Sequence, residues 1–196
     1  MRALILNCTL KKSPADSNTQ KLADVVGAEL GKHGVEVESV RVADLRVEPG
    51  VETDMGDDWT AVHEKLLAAE ILVVASPTWL GRPSSVAQRV LERMDAMISE
   101  TGDDDRPVAY DRVAGVVVTG NEDGAHHVIS EITGALNDIG YTIPGQAWTY
   151  WNMGPGPGPD YSDTDHGHEW SEKTAATMAS NLLAVATALA KQPIPA

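Results

Sequence analysis

Ile71-Leu72-Val73-Val74-Ala75-Ser76-Pro77-Thr78-Trp79-Leu80-Gly81-Arg82-Pro83-Ser84 decides how the rest of the chain is read. From Ile71 to Ala75 the residues are all apolar and rich in β-branched types, with none of the polar alternation of a half-exposed strand. The run stops at Ser76-Pro77, so it reads as a short strand buried on both faces. Such a strand belongs in a parallel sheet with helices on either side, and that architecture requires the same pattern to recur.

It does recur. Val113 to Val118 is a second continuous apolar run, Ala3 to Leu6 opens the chain, Val35 to Val42 alternates, and Ala147 to Trp151 gives a weaker fifth strand. Between the strands, apolar residues fall at helical spacings of three and four: Leu22, Val26 and Leu30; Trp59, Val62 and Leu66; Val86, Val90 and Met94; Val128, Ile132 and Ile139; Met178, Leu182, Val185 and Leu189. Ser17-Asn18-Thr19-Gln20 reads as a capping box opening the first helix, and Gly34 and Gly140 sit where helices should stop. The expectation is an α/β fold filling residues 1–196 as a single domain, with a doubly wound, five-stranded parallel sheet in strand order 2-1-3-4-5. Two stretches break the alternation: the acidic Arg46 to Asp58, and Gly154-Pro155-Gly156-Pro157-Gly158-Pro159 with the residues up to His168. Surface excursion, substrate lid and dimer contact are all open for them.

Composition narrows the function. The 196 residues carry 29 acidic and 15 basic side chains, a formal net charge of −14, which disfavours nonspecific attraction to nucleic acid or anionic membrane. The single cysteine, Cys8, forms no intrachain disulfide and supplies too few thiols for a zinc or iron–sulfur site, which fits a reducing, cytoplasmic setting. Met1 to Asn7 has no cleavage pattern and reads as a strand, and no apolar stretch reaches membrane-spanning length. His126-His127 and His166-Gly167-His168 lack metal-ligand spacing, and no metal is expected.

In an open parallel sheet ligands bind at the carboxyl ends of the strands, beside the point where strand order reverses. Three loops meet that edge. The loop from Asn7 to Thr19 lacks the glycines of a dinucleotide fingerprint, and no phosphate-loop motif with its Gly-Lys-Ser/Thr ending occurs in the chain. Instead Thr9, Ser13, Ser17, Asn18 and Thr19 gather hydroxyls and an amide at a helix N-terminus, with Lys11 and Lys12 nearby, which suits a phosphate. Ser17 as a plain helix cap, with both lysines in solvent, is the competing reading. After the third strand, Pro77, Thr78, Trp79, Leu80 and Gly81 form a turn that offers flat apolar surface to a ring. After the fourth, Thr119-Gly120-Asn121-Glu122-Asp123-Gly124 brings small residues whose backbone N–H groups can approach a heteroaromatic edge. Asp123 reads equally as a helix cap.

Together these three ordered motifs resemble the flavodoxin-like NAD(P)H-dependent FMN reductase family, which also includes quinone reductases and azoreductases. The matching features are the Ser17-Asn18-Thr19 end of the first loop, the Pro77-to-Gly81 turn followed by a helix containing Arg93-Met94-Asp95, and Thr119 through His127. The family's first loop usually begins Gly-Ser-Pro-Arg, where this chain has Asn7-Cys8-Thr9-Leu10-Lys11. The resemblance implies FMN phosphate binding by Thr9, Lys11, Ser17, Asn18 and Thr19. It also implies ring contacts from Pro77, Thr78, Trp79, Leu80 and Gly81, from Thr119, Gly120, Asn121, Asp123 and Gly124, and from His126. It implies NAD(P)H as electron donor, a small flavin or quinone acceptor, no protein acid or base, and a homo-oligomer, dimer or tetramer. Tyr150, Trp151 and the Gly/Pro loop are candidates for covering a neighbour's flavin. A flavodoxin-type electron carrier and a nonenzymatic ligand-binding domain on the same fold are the alternatives.

Overall fold

The computed structural model of the protein describes residues 1–103 and 105–195. Strands β1 (Arg2–Asn7), β2 (Glu36–Arg41), β3 (Ile71–Trp79), β5 (Val113–Thr119) and β6 (Trp148–Trp151) form a parallel sheet in the order β2-β1-β3-β5-β6. Counted over these five, that is the expected order 2-1-3-4-5. The addition is β4 (Arg82–Pro83), a two-residue strand that folds back antiparallel on the end of β3.

Side-chain alternation along the central strands supplies two cores, because successive residues of a strand face opposite sides of the sheet. Leu4, Leu6, Leu72, Val74, Val116 and Val118 pack against α2 (Trp59–Ala68), α3 (Ser85–Met94) and α4 (Ala125–Ile139). Their neighbours Ala3, Ile5, Ile71, Val73 and Val117 pack against α1 (Asn18–Lys32) and α5 (His168–Lys191). Each fully buried Leu, Ile or Val contributes roughly 1.5–3 kcal/mol relative to exposure. The doubly covered strands therefore hold the loops at their carboxyl ends on a rigid base.

The helix signals are met with one change. Ser17 is extended and its hydroxyl accepts the Gln20 amide at 3.1 Å, as a cap should. Gln20 does not close the box: its side chain accepts from Asn7 Nδ2 at 2.7 Å and donates to Asp24 and Ser39. The acidic segment before α2 is wrapped around Arg93, whose side chain is fully buried and paired with the equally buried Asp57. The same guanidinium donates to the carbonyls of Glu48, Glu52 and Thr53 and lies 5.5 Å from the centre of the Trp59 ring. Bonding to Arg93 holds the Asp57 carboxyl down to about 2, well below the usual carboxylate range.

Candidate functional site

At the carboxyl ends of β1, β3 and β5 the three loops enclose a cleft of about 350 Å³. The first loop and the start of α1 bring Thr9, Lys11, Ser17, Asn18 and Thr19; the β3 end brings Pro77, Thr78, Trp79 and Leu80; the β5 end brings Thr119, Gly120 and Asn121. Asp123, Gly124 and His126 lie apart, in an adjoining recess of about 220 Å³ with Tyr150 and Asn152. His126 stands edge-on to Trp148 and Tyr150, at ring separations of 5.4 and 5.2 Å.

The first loop is held from behind, which leaves its inner rim to the cleft. Asn7 Oδ1 accepts the Thr9 amide at 3.1 Å, Ser84 Oγ donates to the Cys8 carbonyl at 2.6 Å, and Arg41 donates to the Ala15 carbonyl at 2.7 Å. Ser13 donates both its amide and its hydroxyl to Asp44, each at 2.7 Å, and those two bonds hold the Asp44 carboxyl below its ordinary range. Lys12 lies with Asp44 and Arg46 in a separate depression, so among the described residues Lys11 alone brings positive charge to the cleft, against Glu122 and Asp160. The first N–H groups of α1 have no intrahelical acceptor, and with the Thr9, Ser17 and Thr19 hydroxyls they form a donor set suited to an anion.

The opposite end is apolar and shaped by a hairpin. Thr78 pairs with Pro83 and Trp79 with Arg82, which leaves Leu80 and Gly81 as the two turn residues, both in the left-handed region at φ 51° and 74°. A two-residue hairpin turn favours that geometry, so β3 runs on to Trp79 where the sequence suggested a loop from Ser76. Trp79 and Leu80 form an exposed lip, 55% and 92% accessible. Gly81 sits behind the lip against Gly124, where a Cβ at Gly124 would come within 2.8 Å of the Gly81 Cα.

Three buried hydroxyl groups on the cleft wall bear on what it holds. Thr19 Oγ1 and Thr119 Oγ1 are 2.7 Å apart and tie the helix start to the end of β5. Thr78 Oγ1 is buried and, among the described residues, has no hydrogen-bond partner. An orphaned hydroxyl beside a flat apolar lip, with an anion cradle across the cleft, fits a phosphorylated heteroaromatic molecule such as FMN. Cys8 is buried and burial pushes its thiol up, as suits a packing residue. Among the described residues no group of three or more His, Cys, Asp or Glu side chains is placed to hold a metal.

Asp160 and Tyr161 also line the cleft. They belong to the Gly/Pro segment, which returns over the start of α1 within the same chain. Gly158 donates to the Asn121 carbonyl at 2.7 Å, Trp151 Nε1 donates to the Pro159 carbonyl at 3.1 Å, and the Ser162 amide donates to Asn18 Oδ1 at 3.1 Å. Tyr161 stands edge-on to Trp151 and stacks on His168, with ring centres 4.2 Å apart. Sequence spacing carried no signal for these two contacts.

Comparison with known proteins follows this geometry. Residues 1–154 match the model of the NADPH-dependent FMN reductase family. The chain is 38% identical over 198 residues to a divalent metal cation transporter MntH of Mycobacterium bovis, covering 96% of this chain but only 29% of that protein. It is 39% identical over 173 residues to the 8-demethyl-8-aminoriboflavin-5'-phosphate synthase of Streptomyces davaonensis, covering 82% of this chain and 67% of that one. Among solved structures, RosB with its bound intermediate 8-demethyl-8-formylriboflavin-5'-phosphate superposes with a TM-score of 0.91 at 35% identity, over 99% of this chain and 82% of RosB. Among the described residues no helix is long and apolar enough to cross a membrane.

Proposed function

The chain belongs to the NADPH-dependent FMN reductase family, and from that premise we propose that it oxidises NAD(P)H through FMN and hands the electrons to a small flavin or quinone acceptor. The family match supports FMN-linked redox chemistry, and the donor and the acceptor complete the proposal. Bound FMN supplies reversible hydride acceptance. The protein binds, orients and shields. Thr9, Lys11, Ser17, Asn18 and Thr19 hold the phosphate, while Pro77 to Leu80 and Thr119 to Asn121 line the ring end. Gly81 sets the hairpin turn, and Asp123, Gly124 and His126 shape the recess beside the ring. Trp79 and Leu80, exposed at the lip, give a planar donor or acceptor an apolar surface to slide against.

The observation that carries this reading is the orphaned Thr78 hydroxyl, buried in a cleft whose far end is a helix N-terminus. Anaerobic addition of NADPH or NADH to the FMN-loaded protein should bleach the flavin, and a quinone or free flavin should restore the colour. No oxidation of either nucleotide above background with any such acceptor would sink the reductase reading and leave an electron carrier. Ser17→Ala with Thr19→Ala should weaken FMN retention.

A second reading has its own support in the similarity to the Streptomyces davaonensis synthase and to RosB with its bound flavin intermediate. Here the flavin phosphate is itself the substrate and its ring is altered. The mass of the flavin after aerobic incubation distinguishes the two: an unchanged FMN mass supports the reductase, a changed one the modifying enzyme. In either case the setting is cytoplasmic and the protein is a homo-oligomer, a proposal supported by a half-exposed aromatic group at the sheet edge. There Tyr150 lies 5.6 Å from Trp148 and 4.7 Å from Trp170. Sedimentation of the purified protein at the monomer mass would remove the oligomer from this picture.

A further inference from the structure

We propose that Ser162 is a positioning residue for the phosphate end of the cleft, acting by turning the side chain of Asn18 so that its amino group, not its oxygen, faces the bound anion. The inference rests on the FMN reading above. It starts from one bond whose polarity is fixed: a backbone N–H only donates, so the Asn18 atom 3.1 Å from the Ser162 amide is the side-chain oxygen. The Ser162 hydroxyl donates to that same oxygen. Both lone pairs of Asn18 Oδ1 are then engaged. The other end of the amide carries two N–H donors, and among the described residues nothing accepts from them.

Asn18 is the first residue of α1 and lines the cleft, so its free donors add to the N–H groups of the helix start. Turned the other way, the same side chain would set a partial negative charge against the phosphate. Ser162 removes that alternative without touching the ligand. Its own position is secured by its neighbour Tyr161, which stacks on His168 and whose carbonyl lies 2.9 Å from His168 Nε2. The orphaned Thr78 hydroxyl in the same cleft is the independent sign that a ligand sits there. Ser162 also lies outside residues 1–154, the part that matches the family model.

FMN and riboflavin differ only in the phosphate, and titrating each into the purified full chain by quenching of flavin fluorescence isolates this effect. Asn18→Asp keeps an acceptor for both Ser162 bonds but gives the phosphate an anionic oxygen. It should raise the FMN dissociation constant on the order of a hundredfold, while riboflavin binding changes by less than about threefold. Ser162→Ala, which keeps the backbone donor, should weaken FMN by roughly two- to tenfold with riboflavin unaffected, and Ser162→Thr should restore FMN binding. Equal losses for the two flavins, or unaltered FMN binding by Asn18→Asp, would overturn the proposal while the cofactor reading stands. Failure of the unaltered protein to bind either flavin would overturn both.

Discussion

Thr78→Val exchanges a buried hydroxyl for a methyl group of nearly the same shape at the wall of the cleft, and the structure predicts opposite effects on stability and on cofactor affinity. Thr78 Oγ1 has no partner among the described residues. A buried hydroxyl left in that state costs about 1–3 kcal/mol, so the flavin-free valine variant should be more stable by roughly 1–2 kcal/mol. With a urea slope of about 2–3 kcal/mol/M, its unfolding midpoint should rise by about 0.5 M. On the proposed reading FMN bonds the threonine hydroxyl, and the penalty is then absent in the complex. Affinity is the difference between the two states, so it should fall by about 1–2 kcal/mol, near tenfold. Urea unfolding followed by tryptophan fluorescence gives the first number and flavin quenching the second. A less stable flavin-free variant, or FMN affinity within about twofold of the original, would refute the reasoning.

Further outcomes follow from three groups outside the cleft wall. Asp57→Asn removes the partner of a fully buried guanidinium and should cost about 3–5 kcal/mol, read calorimetrically as a fall of roughly 10 °C in Tm. The sign of the pH effect follows from the depressed Asp57 value of about 2: its stabilisation is complete above the ordinary carboxylate value near ~4 and disappears as pH drops through about 2, visible in acid unfolding of the parent but not of Asp57→Asn. Gly124→Ala must place a Cβ within 2.8 Å of the Gly81 Cα at a residue with φ 110°. It should destabilise by about 2 kcal/mol and, by shifting the hairpin that carries Trp79, weaken FMN binding as measured by equilibrium dialysis. Cys8, buried with its thiol pushed up, should resist aromatic disulfide reagents at mildly alkaline pH in the native protein and react once urea unfolds it.

What the sequence made legible was whatever depends on local periodicity. Ile71 to Ala75 and Val113 to Val118 had to be doubly covered strands, and a hydroxyl-rich loop ending at Ser17 had to meet a helix start; all three places hold in the structure. Contacts between distant segments were not legible. Nothing in Leu80 announces a positive φ, because leucine is placed there by the pairing of Trp79 with Arg82 and not by its own preference. The binding of Arg93 to Asp57 joins two stretches whose patterns read separately as a helix and an acidic loop. Asp123, Gly124 and His126 were grouped with Thr119 to Asn121 by adjacency in sequence, yet the turn into α4 carries them around into the next recess. Asp160, Tyr161 and Ser162 reach the first loop from the far end of the chain, and a periodicity argument has no term for that distance.

The reach of Ser162 to Asn18 has a consequence for the order in which the protein is made. Synthesis runs from the N-terminus, and the hydroxyl-rich loop emerges long before Ser162. Asn18 cannot be turned by its partner until 144 further residues have left the ribosome. The helix that follows, α5, packs beside α1 in the same core. On the proposed role of Ser162, firm capture of the flavin phosphate waits for this late segment, and a translation product halted before Ser162 would carry the Asn18 end of the cleft without its setting.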